Sequence, residues 1–577
     1  MKGEDGMNKK SVIRFLEDIA VYMELKGENP FKISAFRKAA RALETDDRSM
    51  EQIEDPAELN GIGKGTAAVI NEILENGESE TLETLKKEVP SGLVPLLKLP
   101  GLGGKKLAKL YKELGVIDMA TLKNACEAQQ IQELPGFGKK SEEKILEAIE
   151  EAGKRPERLS IAYMLPHAEK IERQLSELEQ IEKFARAGSL RRVRETIKDL
   201  DFIIATTASA DVSEKLVELE GISKIIVKGD TKITLELDDE YGVSVDFRLV
   251  KPEEFASTLH HFTGSQAHNV KMRQIAKKKG EKISEYGVES VETGEVITFE
   301  NEKEFYGHFG LAYIPPEIRE DRGEIEEAEK KKIDLVQLQD IKGDLHMHST
   351  WSDGAYTIED MAERARDKGY SYIAITDHSQ YLKVANGLTP ERLREQREEI
   401  NRLNKKWTDF KIFAGVEMDI LPDGTLDYDD QLLAEMDFVI ASIHSSFSQD
   451  EDTIMKRLET ALRSHHVDLI AHPSGRLLGR RNGYSLDHDK LIKLAKETGT
   501  ALELNANPNR LDLAAEWLQK AQDNHVKIMI NTDAHHMDML EHMEIGVAAG
   551  RRGWLRKESV LNTYTPKDLE AFFHRHH

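Results

Sequence analysis

The sequence predicts a multidomain chain with three fold classes in series: an α-helical N-terminal part, an α+β middle and a C-terminal βα-barrel-like half. Three observations predict it. A glycine-turn pattern repeats three times between residues 60 and 150, helix and strand patterns mix from 160 to 250, and short apolar strands alternate with helices from Ile341 onward. At roughly 100–200 residues per domain, 577 residues suggest about three to five domains. A hydrophobic fraction of 39% beside 32% charged residues describes a core-forming chain with a solvated surface. The 81 Lys+Arg against 105 Asp+Glu leave a net charge of −24, so any contact with nucleic acid must be local. No apolar run approaches the ~20 residues that span a bilayer, and no secretory core follows Met1 to Lys10. A cytoplasmic monomer without a membrane partner is the expectation. The single cysteine, Cys126, excludes a disulfide framework and a Cys-rich zinc finger.

The opening segment reads as helix, because Ile13, Leu16, Ile19, Ala20 and Met23 recur at helical spacing. The repeats follow: Leu59-Asn60-Gly61-Ile62-Gly63-Lys64, Leu99-Pro100-Gly101-Leu102-Gly103 and Leu134-Pro135-Gly136-Phe137-Gly138-Lys139. Each stands between helical stretches, with second helices expected over Thr66–Leu74, Lys105–Leu114 and Ser141–Ile149. A helix–Gly-x-Gly–helix turn leaves the first N–H groups of the second helix free to bind a phosphate without reading a base. Lys64, Lys105, Lys106, Lys139 and Lys140 add counter-charge there. One such turn is often only a tight bend in a bundle; three in succession resemble helix–hairpin–helix DNA-backbone binders.

In the middle, Ala168–Leu178 reads as helix. Leu200–Ala205, Ile225–Val227, Lys232–Leu237 and Val243–Val250 read as strands, giving a partly antiparallel sheet. Asp199-Leu200-Asp201 places two carboxylates on one strand face, and Asp246 sits between Val245 and Phe247 in the same manner. Three converging carboxylates repel one another unless cations neutralise them, and Mg²⁺, a hard ion that takes oxygen ligands, suits them. Two such ions ~3.5–4 Å apart stabilise both attacking and leaving oxygens in a phosphoryl displacement. Gly188-Ser189-Leu190-Arg191-Arg192 stands upstream, and His261-Phe262-Thr263-Gly264 through Asn269 and Arg273 stand downstream.

On these motifs residues 10–315 resemble a family X DNA polymerase. The resemblance implies that Asp199, Asp201 and Asp246 are the metal-binding and catalytic carboxylates, with Asp246 activating the primer 3′-hydroxyl. It implies nucleotide contacts at Gly188, Ser189, Arg192, Phe262, Gly264, Asn269 and Arg273, and DNA contacts at Gly61, Gly63, Gly101, Gly103, Lys105, Lys106, Gly136 and Gly138. His261 and Ser244 stand where vertebrate relatives carry Tyr and Arg. Relatives that excise a 5′-deoxyribose phosphate use a lysine in the helix after the first Gly-x-Gly. Val69 occupies that position here, and a Schiff base needs an amine, so that lyase activity is not expected.

Residues 317–333 are charge-dense and read as a linker or a solvated helix. Beyond them lie fifteen of the 20 histidines. Strands are expected at Tyr372–Thr376, Ile412–Val416, Phe438–Ile443, Leu469–Ala471, Ala501–Leu504 and Lys527–Asn531. His346 and His348 share a strand face, and Asp377-His378, Glu417, His444, His472 and Asp533-Ala534-His535 each end a short apolar strand. In a parallel βα fold these ends converge on one mouth. Imidazole and carboxylate without thiolate suit Zn²⁺, Mn²⁺ or Fe²⁺ in a hydrolytic site rather than a structural Cys-type one.

The set is similar to the polymerase-and-histidinol-phosphatase (PHP) domain. That resemblance implies one ion held by His346, His348, Glu417 and Asp533, and a second by Asp353, His378 and His472. A third would be shared by Glu417 with His444 and His535. It further implies a Mn²⁺-favoured 3′→5′ exonuclease, with abasic-site cleavage as an added activity. Together the two resemblances divide the chain into an N-terminal DNA-binding domain (1–90), a fingers-like helix–hairpin–helix domain (91–155), a palm (156–265), a thumb (266–317), a linker (318–340) and a PHP domain (341–577). The expectation is a repair polymerase that takes dNTPs and gapped or primer-template DNA. The competing reading is a PHP phosphatase tethered to DNA by an inactive polymerase-like module.

Overall fold

The computed structural model describes residues 9–46, 50, 53, 55–99, 102–152 and 156–575. They fall into two compact units, Met1–Pro156 with Gln380–Gly387, and Glu157–Ser379 with Leu388–His577.

The first unit is helical: α1 (Lys9–Lys26), α2 (Pro30–Thr45), α3 (Lys64–Asn76), α4 (Glu80–Glu88), α5 (Gly104–Leu114), α6 (Met119–Glu127) and α7 (Lys139–Ala152). Val12, Leu16, Ile19 and Met23 line one face of α1 and close a core with Ile33, Leu43, Ile62, Ile70 and Ile73. The start of α2 is set by Asn29, whose side chain accepts from Phe31 N, and by Pro30 in the first turn. A second core gathers Leu107 and Leu110 from α5, Leu122 from α6, and Ile145 and Ile149 from α7. The three helices expected after the glycine turns lie inside α3, α5 and α7.

The second unit begins with a five-stranded sheet: β1 (Lys183–Arg186), β2 (Leu200–Ala205), β3 (Ile222–Lys228), β4 (Lys232–Leu237) and β5 (Ser244–Val250). The spatial order is β1-β2-β5-β4-β3, with β2 and β5 parallel and the other pairs antiparallel. Along β5, Val245, Phe247 and Leu249 enter the core while Ser244, Asp246 and Arg248 take the other face. Phe247 stacks on Phe202 of β2, with ring centroids 5.7 Å apart. Helices Phe255–Thr263, Gln266–Lys278 and Glu302–His308 follow, packed around Met272, Phe305, Tyr306 and Ile314.

The stretch 317–333 departs from the linker expectation. It contains the helix Glu324–Glu329, and Ile318, Ile325 and Ala328 are buried in that same core. Its charges are not all solvated either. Arg319 is fully buried and donates to Glu302, and Glu324 lies 2.7 Å from His268 Nδ1. Three apolar residues and two paired charges suffice to dock a segment whose composition alone reads as solvent-facing.

Seven parallel strands complete the unit: β6 (Gly343–Asp344), β7 (Tyr372–Ile375), β8 (Lys411–Asp419), β9 (Phe438–Ser442), β10 (Leu469–Ile470), β11 (Ala501–Asn505) and β12 (Ile528–Asn531). They pair in sequence order, and their residues are buried almost throughout, as in sheets covered on both faces. The two ends of the sheet approach each other: Met347 bridges Ala534, and His348 N donates to Ala534 O at 2.8 Å. The result is a nearly closed seven-stranded barrel whose strand C-termini share one mouth.

Candidate active sites and DNA-binding hairpins

Gly63 and Gly103 are the N-caps of α3 and α5, and neither helix start receives a side-chain hydrogen bond. Their first N–H groups are therefore available to a ligand. A Cβ added at Gly63, Gly103 or Gly138 would meet nothing within 4 Å, so open space faces each turn. Gly61 and Gly136 are needed for another reason: their φ values of +107° and +92° are left-handed. Gly101 lies outside the described residues. Lys105, Lys139 and Lys140 are exposed, while Lys106 is half-buried with its Nζ 5.4 Å from the centre of the Phe137 ring. Val69 is half-buried against the first core, so the lyase position presents no amine.

In the five-stranded sheet, Asp201 of β2 and Asp246 of β5 are register partners. Asp199 immediately precedes β2. Burial pushes the Asp201 carboxyl up to about 7, Asp199 and Asp246 add to that rise, and Arg192 and Lys232 oppose it. The cluster thus has more negative charge than its protein cations offset. Asp246 accepts from Thr234 Oγ1 at 2.5 Å and lies 3.1 Å from Lys232 Nζ. Both partners come from β4, and the D-x-D spacing carries no trace of them.

Gly188 has φ +60°, and a Cβ there would lie 2.0 Å from Asp201 Oδ2. Ser189 follows it in the short helix Gly188–Arg191. Arg192 is engaged, its Nε 3.0 Å from Glu320 Oε1 and its Nη1 donating to Thr263 O at 2.7 Å. Phe262 lies under the Arg248 guanidinium at 4.8 Å. Gly264 packs on Asn269, since a Cβ would come within 2.5 Å of Asn269 Oδ1. Asn269 Nδ2 donates to His261 O at 2.7 Å, while its Oδ1 is buried without a hydrogen-bond partner. Arg273, farther along the same helix, is exposed.

At the barrel mouth Glu417 is the hub. Its Oε1 lies 3.0 Å from His472 Nε2 and 3.2 Å from His444 Nε2. Its Oε2 lies 3.0 Å from His378 Nδ1, 3.4 Å from His346 Nε2 and 3.5 Å from His348 Nε2. Three groups could each hold a cation: His346, His348, Glu417 and Asp533; His348, Asp353, His378 and His535; and His378, Glu417 and His444. The nine residues come together; the first group is the one the resemblance implied, and the other two divide differently. His535 stands 3.3 Å from Asp353 rather than beside His444, and His472 lies against Glu417 rather than Asp353. Proximity in space overrides order along the chain, because β12 returns next to β6.

These donors fit metal. His346 Nε2, His348 Nδ1, His378 Nδ1, Glu417 Oε2 and His472 Nδ1 are buried without a hydrogen-bond partner, a costly state for polar atoms. Protons would neutralise the cluster unevenly, one imidazole losing its proton and another keeping it. Burial, with His535 and His378 beside it, pushes His348 down to about 3. His444 is raised to about 10 by Glu417 and Asp419 against its burial.

Sequence reasoning missed the groups that orient these ligands. Glu503 of β11 lies 2.7 Å from His346 Nδ1, and its other oxygen accepts from His472 N at 2.7 Å. Asp419 holds His444 Nδ1 at 3.2 Å, and Asn505 donates to Asp533 at 3.1 Å. Such partners fix which imidazole nitrogen faces a metal. A signal existed in each strand: Glu503 between Leu502 and Leu504, and Asp419 two residues after Glu417.

The chain matches a helix-hairpin-helix domain over residues 7–79 and a SAM-like helix-hairpin-helix tandem over 93–151. It matches the DNA polymerase beta thumb over 258–320 and the PHP domain over 344–533. A DNA polymerase/3′-5′ exonuclease PolX of Bacillus subtilis (strain 168) is 64% identical over 569 residues, 99% of this chain and 100% of that relative. The chain belongs to the PHP-bearing family X DNA polymerases. A probable phosphatase of Thermoanaerobacter sp. (strain X514) is 29% identical over 238 residues, which is 39% of this chain and 92% of its own. Another, of Acetivibrio thermocellus, is 30% identical over 202 residues, 33% of this chain and 78% of its own. A family X polymerase with helix–hairpin–helix domains works on DNA and dNTPs, and the His/Asp/Glu cluster of its PHP domain accords with use of divalent metal. No helix among the described residues is long and apolar enough to cross a membrane.

Proposed function

We propose that this polymerase fills short gaps by adding dNTPs to primer 3′ ends in the β1–β5 domain and trims 3′ ends at the barrel mouth. The observation that carries the first activity is the register pairing of Asp201 with Asp246 beneath Gly188. Asp199, Asp201 and Asp246 would hold Mg²⁺; bound there, the metal supplies charge neutralisation at the attacking and leaving oxygens. Asp246, fixed by Thr234 and Lys232, takes the proton of the primer 3′-hydroxyl at its carboxylate. Gly188 and Ser189 offer backbone N–H groups to a triphosphate, and Arg192 joins them when it leaves Glu320. Phe262 and Gly264 support the sugar, while Asn269 and Arg273 face the nascent pair. The glycine turns at 61–63 and 136–138, and that before α5 with Lys105 and Lys106, hold the DNA backbone.

At the mouth, the nine imidazoles and carboxylates would hold up to three ions, Mn²⁺ or Zn²⁺, which supply a water of lowered proton affinity and a clamp for a phosphodiester. Glu503 and Asp419 keep His346 and His444 turned inward. The 3′→5′ polarity is that of the Bacillus subtilis relative, a 3′-5′ exonuclease. A DNA-tethered phosphatase is disfavoured, since an idle polymerase module would not need three mutually repelling carboxylates. A gapped-DNA assay in Mg²⁺ or Mn²⁺ with the Asp199/Asp201→Ala and His346/His348→Ala variants tests both parts. Each double variant should lose one activity and keep the other; loss of both in either variant would overturn the two-site reading.

A further inference from the structure

A cavity of about 290 Å³ opens in the second unit, lined by Arg194, Arg322, Arg476 and Arg552 together with Glu195 and the first turn of the helix Ala515–Asp523. Four arginines face it against only two glutamates, Glu195 and Glu516, in a chain whose total charge is −24. Arg476 and Glu195 satisfy each other at 2.8 Å. The rest is not balanced locally. Glu320, behind the wall, is one carboxylate shared by three guanidiniums: Arg192 and Arg552 at 3.0 Å each, and Arg194 at 3.8 Å. Arg552 is only 9% exposed. Burial pushes its guanidinium below the ordinary value, Glu320 opposes, and Arg194 and Arg192 add to the lowering. Crowded cations around a cavity are relieved by an anion.

The helix Ala515–Asp523 supplies donors of a second kind. Its N-cap is Ala514, which has no side-chain acceptor, and the first N–H groups of a helix have no intrahelical partner. Ala514, Ala515 and Glu516 all line the cavity. Guanidinium forks and helix N-terminal N–H groups are two independent recognition elements for phosphate oxygens. The volume sits at the lower edge of small-ligand pockets, ~300–1,000 Å³, which admits one or two phosphoryl groups and excludes a duplex.

We propose that this cavity binds a small phosphate-bearing anion, a diphosphate or a nucleoside 5′-monophosphate, without a metal and apart from both metal sites. Arg194, Arg322 and Arg552 would neutralise its charge, and the N–H groups of Ala515 and Glu516 would fix its orientation. The two reactions proposed above release anions of these two kinds, pyrophosphate from nucleotide addition and a 5′-monophosphate from 3′ trimming. The site itself does not depend on either reaction.

The test is titration calorimetry on the full chain in EDTA, with inorganic pyrophosphate, dAMP and, as control, deoxyadenosine. Two variants are compared with the unaltered protein. Arg322→Gln removes an exposed guanidinium whose one described side-chain bond is a long contact to Gln519. Ala515→Pro removes a single N–H at the first helical position, where proline is tolerated, and Ala514 already has the extended conformation (φ −63°, ψ 149°) that proline needs before it. We expect binding of at least one of the two anions and none of deoxyadenosine. Arg322→Gln should weaken binding about tenfold or more and Ala515→Pro about fivefold, with primer extension in Mg²⁺ unchanged in both. Tighter binding of pyrophosphate would assign the product of nucleotide addition as occupant, and tighter binding of dAMP the product of trimming. No binding of either anion, or equal affinities in all three proteins, would overturn the proposal. Gap filling is read separately: its failure in the unaltered protein would count against the polymerase reading and not against this cavity, whereas its loss only in the two variants would overturn the claim that the cavity stands apart from the polymerase site.

Discussion

Asp201 and Asp246 face each other across two parallel strands, partners in register on β2 and β5, each between residues whose apolar side chains enter the core. Two carboxylates in that position repel unless a cation lies between them, so function and strain are joined in one pair. Replacing Asp201 with Ala should reduce nucleotide addition by about 10³-fold or more while DNA binding persists. Gly188→Ala should have nearly the same effect, because its methyl group would overlap Asp201 Oδ2. Single-nucleotide incorporation on gapped DNA measures both; extension near the normal rate in the Asp201 variant would remove the aspartates from the mechanism.

Glu417 touches five imidazoles, so its loss should disturb more than one metal position. Glu417→Ala is expected to lose nuclease activity and metal content while primer extension survives. Elemental analysis beside the two activity assays checks this. A nuclease that persists in the variant would show that the hub is not part of that reaction.

Glu503 acts one step out, through His346 and the backbone of His472. Glu503→Gln keeps the shape and removes the charge. It should lower metal affinity about 10–100-fold, with nuclease activity recovered at high Mn²⁺. Metal titration that leaves the affinity unchanged would reduce Glu503 to a packing role.

Lys105 and Lys106 begin α5 beside an uncapped helix start. Replacing both with Glu should weaken DNA binding equally for all sequences and make the salt dependence shallower by about two counterions. Fluorescence anisotropy over a range of salt and several duplexes measures it; a sequence-selective loss would contradict backbone recognition.

His260 gives a pH prediction. It is buried beside Tyr306, with Nδ1 3.2 Å from the hydroxyl, and burial, with Arg319 and His268 adding to it, holds its pKa well below 6.5. The unfolded chain takes up a proton near pH ~6.5 and the folded one does not, so stability is full above that pH and falls below it. Between pH 7 and 5 this residue should therefore lower the stability of the region around it. In His260→Phe that part of the acid sensitivity should disappear, as read by hydrogen exchange of the helix Phe255–Thr263. An unchanged pH dependence would mean that His260 is not the responsible group.

Local spacing was enough for the architecture, for the shared face of the paired aspartates and for the cluster at the barrel mouth. Period two put Asp246 opposite the face of Val245 and Phe247, Gly-x-Gly between helical stretches marked the caps of α3 and α5, and coordinating residues after apolar strands marked the barrel mouth. Those features depend on neighbours a few residues apart, which the chain carries in its order. Three others were decided by tertiary structure alone. Lys232 and Thr234 reach Asp246 because β4 lies beside β5, His535 joins Asp353 rather than His444 because β12 returns to β6, and residues 317–333 dock through Ile318, Ile325 and Arg319 despite their charge. In each case the partner is fixed by strand order or by burial against a distant segment. Sequence spacing has no term for either.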